Sequence, residues 1–225
     1  LGLRLYRLHC GRPEAPVLLW GHANGFSAGS YLPLLEELCA DFQVFAFDAR
    51  GHGGSQQPPL PFDDTLHIDR YTSDLGLHVA RIREIVGDRP MFFAATYAAS
   101  LGKRIPYSQF RPDMLQAHCS ATLRPTADGD FELACAPEVE MATYQAVDNV
   151  TTFEALPRFP CPVHFVASEP AVPPAPPSWA ALVQGIAAAR VAGAQLTKLD
   201  GTGHMMPFEK PAACRQILLD TLFNF

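Results

Sequence analysis

Gly201-Thr202-Gly203-His204 is the stretch of this chain best suited to moving a proton. It follows residues 195–199 (QLTKL), which read as a strand, and leads into Met205-Met206-Pro207-Phe208-Glu209-Lys210-Pro211. A histidine on a loop freed by glycines can swing its imidazole over the C-terminal edge of a sheet and exchange a proton with a bound group. The plainer account is a buried histidine that only hydrogen-bonds its own loop, and this flanking pattern makes it the weaker one. Two glycine-rich loops, Gly21-His22-Ala23-Asn24-Gly25-Phe26 and Asp48-Ala49-Arg50-Gly51-His52-Gly53-Gly54-Ser55, each follow an apolar run. Either loop alone reads as an ordinary turn between strand and helix. Thr96 and Ser100 are candidate hydroxyl nucleophiles, and Glu169 is the carboxylate beside the end of a late apolar run.

A parallel sheet is the frame that positions these groups. Residues 17–20 (VLLW) form a continuous apolar run closed by Gly21, as in a strand buried on both faces. Residues 31–40 have helical spacing, with Leu32, Leu35 and Leu38 on one side and Ser30 as N-cap. Residues 42–47 (FQVFAF) make the next strand, ended by Asp48. Strand, helix and strand in this order give a right-handed βαβ unit. Both loops then leave the C-terminal ends of their strands, where open α/β sheets bind ligands. Residues 1–10 alternate leucine with polar or aromatic residues, as an edge strand does. Residues 68–86 form an amphipathic helix with Leu75, Val79, Ile82 and Val86 on one stripe. Further expected elements are strands over 91–95 and 161–167, and helices over 152–158, 179–190 and 212–223. The class is α/β, a mostly parallel central sheet with helices on both faces.

HANGFS and DARGHGGS, at this spacing, resemble the opening of the α/β-hydrolase fold. The resemblance implies that the first loop supplies an oxyanion-hole amide, the backbone N–H of Asn24, and that the second braces it. His22 stands at the family's histidine position and Ala23 replaces the usual glycine. GTGHMMPFEKP resembles the loop G-x-G-H-x-x-x-x-E-x-P that carries the triad histidine, here His204. The triad acid would follow the strand over 161–167. Ser168-Glu169-Pro170-Ala171 has no aspartate there, so Glu169 is that acid or a solvated turn residue, or the acid lies in a missing piece or after an earlier strand as in some relatives. Residues 97–144 resemble the cap of one hydrolase group, with a cap helix over 110–121 and a hairpin-like stretch after it. The implied layout is 1–96 as the N-terminal part of the core, 97–147 as a small helical cap, and 148–225 as the C-terminal part of the same core.

The nucleophile elbow G-x-S-x-G is missing. In the expected register Ala94-Ala95-Thr96-Tyr97-Ala98 has threonine for serine. A β-branched residue at that strained position costs about 1–3 kcal/mol. Ala98-Ala99-Ser100-Leu101-Gly102 supplies a serine and one glycine, but it lies far from Pro90 and the following helix would be cut at Pro106. In the preferred reading the strand at Ala95 runs directly into the cap, and the elbow, its helix and another strand are missing between them. Either those residues belong to the protein outside these 225, or a real deletion has removed part of the core. Ser100 is then the fallback nucleophile.

The resemblance implies serine-type hydrolysis of a small ester, lactone or similar acyl substrate, with no metal or organic cofactor. Phe110, Met114 and Leu115 in the cap point to a small, mostly apolar substrate. The other reading is a non-catalytic relative that binds a small ligand or a protein partner. With 48% hydrophobic and 18% charged residues among 225, the chain suits one soluble domain with a sizeable core. A net charge of −6 and no basic run argue against nucleic acid. No apolar stretch approaches the roughly 20 residues of a membrane span, and no signal peptide is visible. Six scattered cysteines without a C-x-x-C pair read as free or buried thiols in a reducing cytoplasm. No spacing of ligands suggests a metal site, and nothing indicates the oligomeric state.

Overall fold

A computed structural model describes residues 2–58, 68–95, 109–147, 157, 160–169 and 179–224. Two compact units form, one of Leu1–Tyr97 with Pro112–Asp148 and one of Ala98–Arg111 with Asn149–Phe225. No helix among the described residues is long and apolar enough to cross a membrane.

The first unit is built on a four-stranded sheet of β1 (Arg4–Arg7), β2 (Val17–Gly21), β3 (Gln43–Asp48) and β4 (Met91–Ala95). The strand order is β1-β3-β2-β4, with β1 antiparallel to β3 and the remaining pairs parallel. Every residue of β2 is buried, as its unbroken apolar run requires. Val17 and Leu19 face α2 (Ile68–Val86) and pack with Phe45, Ile82 and Val86. Trp20 alternates to the other face, where its ring meets Tyr31 at 5.3 Å. There a 3₁₀ turn, Ala28–Tyr31, leads into α1 (Leu32–Leu38). Ser30 is therefore not the N-cap of α1. The chain makes its tight turn first, so Ser27 caps that turn and Tyr31 precedes α1.

Four elements follow in the same unit: α3 (Pro112–Thr122), the antiparallel hairpin of β5 (Leu123–Pro125) and β6 (Phe131–Leu133), and α4 (Pro137–Val147). The hairpin and α3 sit where the sequence indicates them. The α4 helix was not legible beforehand, though its local signals are sound: proline opens it, and Glu138 and Glu140 lie in the first turn. Gly29 approaches α3 closely, since a Cβ there would lie 2.9 Å from that of Ala121. Phe26 and His118 have ring centroids 4.5 Å apart.

The second unit pairs β7 (His164–Glu169) in parallel with β8 (Gln195–Asp200). Its helices are α5 (Trp179–Arg190), the short α6 (Met206–Glu209) and α7 (Pro211–Asn224). Ala187 and Val191 pack on Val163 and Phe165. The ladder of β7 starts after Pro162, which has no N–H to donate. The helix expected over 152–158 lies outside the described residues apart from Pro157.

The expectation of free thiols fails at one place. Cys10 and Cys39 are joined by a disulfide, with Cα atoms 4.8 Å apart. The end of α1 returns beside the segment after β1, and a sequence separation of 29 gave no hint of it. Cys119, Cys135, Cys161 and Cys214 are free.

Candidate active site

The two glycine-rich loops of the first unit are tied together by one buried carboxylate. Asp48, at the end of β3, is 2% exposed. Its Oδ1 accepts from the Ala28 N–H at 2.8 Å, and its Oδ2 accepts from the Gly54 N–H and the Tyr6 hydroxyl, both at 2.8 Å. Gly53, at φ +48°, passes so near this carboxylate that any Cβ would overlap it. Burial and Asp48 together push the Tyr6 phenol up to about 12.

His22 is a strut between the loops. Its Nδ1–H donates to the Ala23 carbonyl at 2.8 Å, and its Nε2 accepts from the Ala49 N–H at 2.9 Å. Both ring nitrogens are thereby used, and burial lowers the pKa so that the ring stays neutral. The arrangement fixes the tautomer and joins the second loop to the first.

Asn24 is held from two sides. Its Nδ2 donates to the Glu140 carbonyl at 3.1 Å, and its Oδ1 lies 2.9 Å from His52 Nε2. His52 Nδ1 is 2.9 Å from the Arg50 carbonyl, and burial pushes its pKa down to about 3. Arg50 is itself fixed by a buried bidentate pair with Asp74 of α2, with two contacts of 2.7 Å. Most amides of the first loop are occupied. The Ala23 N–H donates to the Tyr31 hydroxyl, Phe26 to the Ala23 carbonyl, Ser27 to the Ser30 hydroxyl and Ala28 to Asp48. The Asn24 N–H has no acceptor among the described residues.

Two groups of the later chain lie against this loop. A Cβ on Gly25 would be 2.9 Å from Glu140 Oε1, so the carboxylate rests on the Gly25 backbone. Burial raises the Glu140 carboxyl. Cys135 is buried, and burial together with Glu140 pushes its thiol up to about 12, with the Gly25 backbone pulling the other way. A thiol so disfavoured as thiolate is no nucleophile at neutral pH.

In the second unit the GTGH loop is clamped by Glu209. Its Oε2 accepts from the Gly203 N–H at 2.6 Å and its Oε1 from the Met205 N–H at 3.2 Å. The two bonds flank His204 and fix the backbone that carries it. Gly201 at φ +64° allows the preceding turn, and the Thr202 hydroxyl donates to the Leu199 carbonyl at 2.6 Å. His204 is partly buried, which lowers its pKa and leaves it neutral at pH 7, the form a general base needs.

No family model matches the chain, and no curated protein matches it. Solved structures do. The crystal structure of E-2-(acetamidomethylene)succinate hydrolase aligns over 97% of this chain and 98% of its own, with a TM-score of 0.72 at 14% identity. The enol-lactonase from Burkholderia xenovorans LB400 covers 99% of this chain and 97% of its own, at TM-score 0.68 and 16% identity. The thioesterase domain from the curacin biosynthetic pathway covers 97% of this chain and 99% of its own, at TM-score 0.69 and 14% identity. The chain has the α/β-hydrolase fold.

On this α/β-hydrolase fold the described residues bring together Asn24, His22, His52 and Glu140 in one unit, and His204 with Glu209 in the other. Thr96 and Ser100 lie outside the described residues. Glu169 ends β7 opposite Asp200, and its side chain lies outside them as well. Met114 is fully buried, and Phe110 is buried with its ring stacked on Phe208 at 4.7 Å. Both are used in packing and say nothing of an apolar substrate. Sequence reasoning missed His52, Glu140 and the clamp by Glu209. The Glu209 clamp had a signal, the glutamate of the loop motif. Glu140 had none, since only the fold brings it to Asn24.

Proposed function

We propose that this chain is a hydrolase acting on a small ester, lactone or related acyl substrate. A hydroxyl nucleophile attacks the carbonyl and His204 accepts its proton. The carbonyl oxygen becomes an oxyanion held by the Asn24 N–H, and His204 then returns the proton to the leaving oxygen. Water repeats the cycle on the acyl-enzyme. Ser100 is the nucleophile available on the sequence, and Glu169 is the carboxylate proposed to orient His204. The observation carrying the reading is the Asn24 amide, which has no acceptor among the described residues, while the N–H groups of Ala23, Phe26, Ser27 and Ala28 in the same loop are bonded. The neutral, backbone-clamped His204 supports it, as does the kinship in fold with a hydrolase, a lactonase and a thioesterase.

A cytoplasmic setting belongs to this reading and requires the Cys10–Cys39 bond to resist the thiol pool there. The second reading, a binder without chemistry, rests on the threonine at the elbow position. Activated esters and a fluorophosphonate probe separate the two. Hydrolysis and labelling are expected, with His204→Ala lowering kcat by roughly 10²–10⁴-fold. A folded protein with neither activity is a binder.

A further inference from the structure

Among the described residues the Glu140 carboxylate makes no hydrogen bond and no ion pair. The backbone carbonyl of Glu140, not its side chain, receives the Asn24 amide. Val139 and Thr143 form the buried face of α4, and Val139 packs with Cys135. No basic side chain among the described residues pairs with Glu140, and the buried Arg50 is engaged by Asp74. The ring of His52, behind Asn24, is neutral. Among the described residues the titratable group against Glu140 is the Cys135 thiol, also neutral. A half-buried carboxylate with no counter-charge among the described residues is costly to hold, and such groups gather where a ligand supplies the partner.

Its position gives the partner's chemistry. The carboxylate rests on Gly25, the residue after the Asn24 amide. An oxyanion formed at that amide would face a second negative charge, which raises the barrier for a neutral acyl group. A cation beside the scissile carbonyl cancels that repulsion and binds Glu140 directly. We propose that Glu140 makes this site selective for acyl substrates carrying a cationic group close to the scissile carbonyl. The proposal rests on the hydrolase reading above and names the substrate class for that same site.

The test compares two phenyl esters of equal shape, that of 3-(trimethylammonio)propanoate and that of its uncharged isostere 4,4-dimethylpentanoate. Each kcat/KM is divided by the rate of the ester in buffer. The wild-type protein at pH 7 is expected to favour the cationic ester by roughly tenfold or more, the worth of one interaction with a charged group. Glu140→Gln is expected to bring the ratio near one, with the neutral ester gaining. A wild-type ratio near one overturns the proposal without any variant, and so does a ratio that survives in Glu140→Gln. If neither ester is cleaved, the hydrolase reading fails by itself. Calorimetry with 3-(trimethylammonio)propanamide then decides the role of Glu140. Binding by the wild type that Glu140→Gln weakens at least tenfold supports the cation site, and equal or absent binding refutes it.

Discussion

Asp48→Asn is the sharpest test of how the candidate site is held. The carboxylate accepts three hydrogen bonds of 2.8 Å while 2% exposed. Asparagine can keep its oxygen toward Gly54 and Tyr6, but its amide then faces the Ala28 N–H, donor against donor. Two charge-assisted bonds become neutral, a loss of about 1 kcal/mol each, and an orphaned buried N–H costs about 1–3 kcal/mol more. Relief from burying a charge offsets part of this, which leaves a destabilisation of about 3 kcal/mol. For a chain of this length that is a fall in Tm of about 6–12 °C. Trp20 is buried in the sheet beside Tyr31, so its fluorescence in a Trp179→Phe background reports the first unit during urea unfolding. A midpoint shift equivalent to less than about 1 kcal/mol, at unchanged slope, would refute the argument that Asp48 braces the two loops. Ala28 starts the turn that closes the Asn24 loop, so under the proposed hydrolase reading kcat for an activated ester should fall with stability while KM changes little.

Other outcomes follow from the same contacts. His52 and His118 are pushed down to about 3 and about 4 by burial, whereas both titrate near 6.5 when unfolded. Their contribution is present above pH 6.5 and is lost as pH falls through that window, because the unfolded chain binds the protons first. Thermal melts from pH 7 to 4 should show the loss, and His118→Phe should flatten the curve. Gly53→Ala should destabilise by about 2 kcal/mol or more, since a side chain at positive φ would also strike Asp48; a variant melting with the wild type would show that the loop can move aside. Reducing Cys10–Cys39 should remove about 3–4 kcal/mol by loop-closure entropy. A lower Tm in reductant, absent from Cys39→Ser, would show it.

Much of the frame was readable because burial leaves a mark on composition. β2 was legible from an unbroken apolar run, α2 from a stripe with the period of a helix, and β4 and α5 from apolar runs between breakers. The GTGH loop and the two glycine-rich loops stood out because their glycines serve backbone geometry, a local requirement. Ser30 was misread as a cap because hydrogen-bonding power alone does not say whether a 3₁₀ turn intervenes.

The residues that give the site its character belong to the other category. The sheet strands, the loops at their ends and the placing of a histidine after the last strand are written in local residue patterns, since each depends on neighbours within a few positions. Packing in three dimensions brings Cys39 to Cys10, fixes Arg50 by Asp74 and lays Glu140 on the Gly25 backbone. Those contacts join residues 24 to 115 positions apart in the chain. At such separations the meeting of two side chains is set by how helices pack on the sheet, and no local pattern of residue types encodes it.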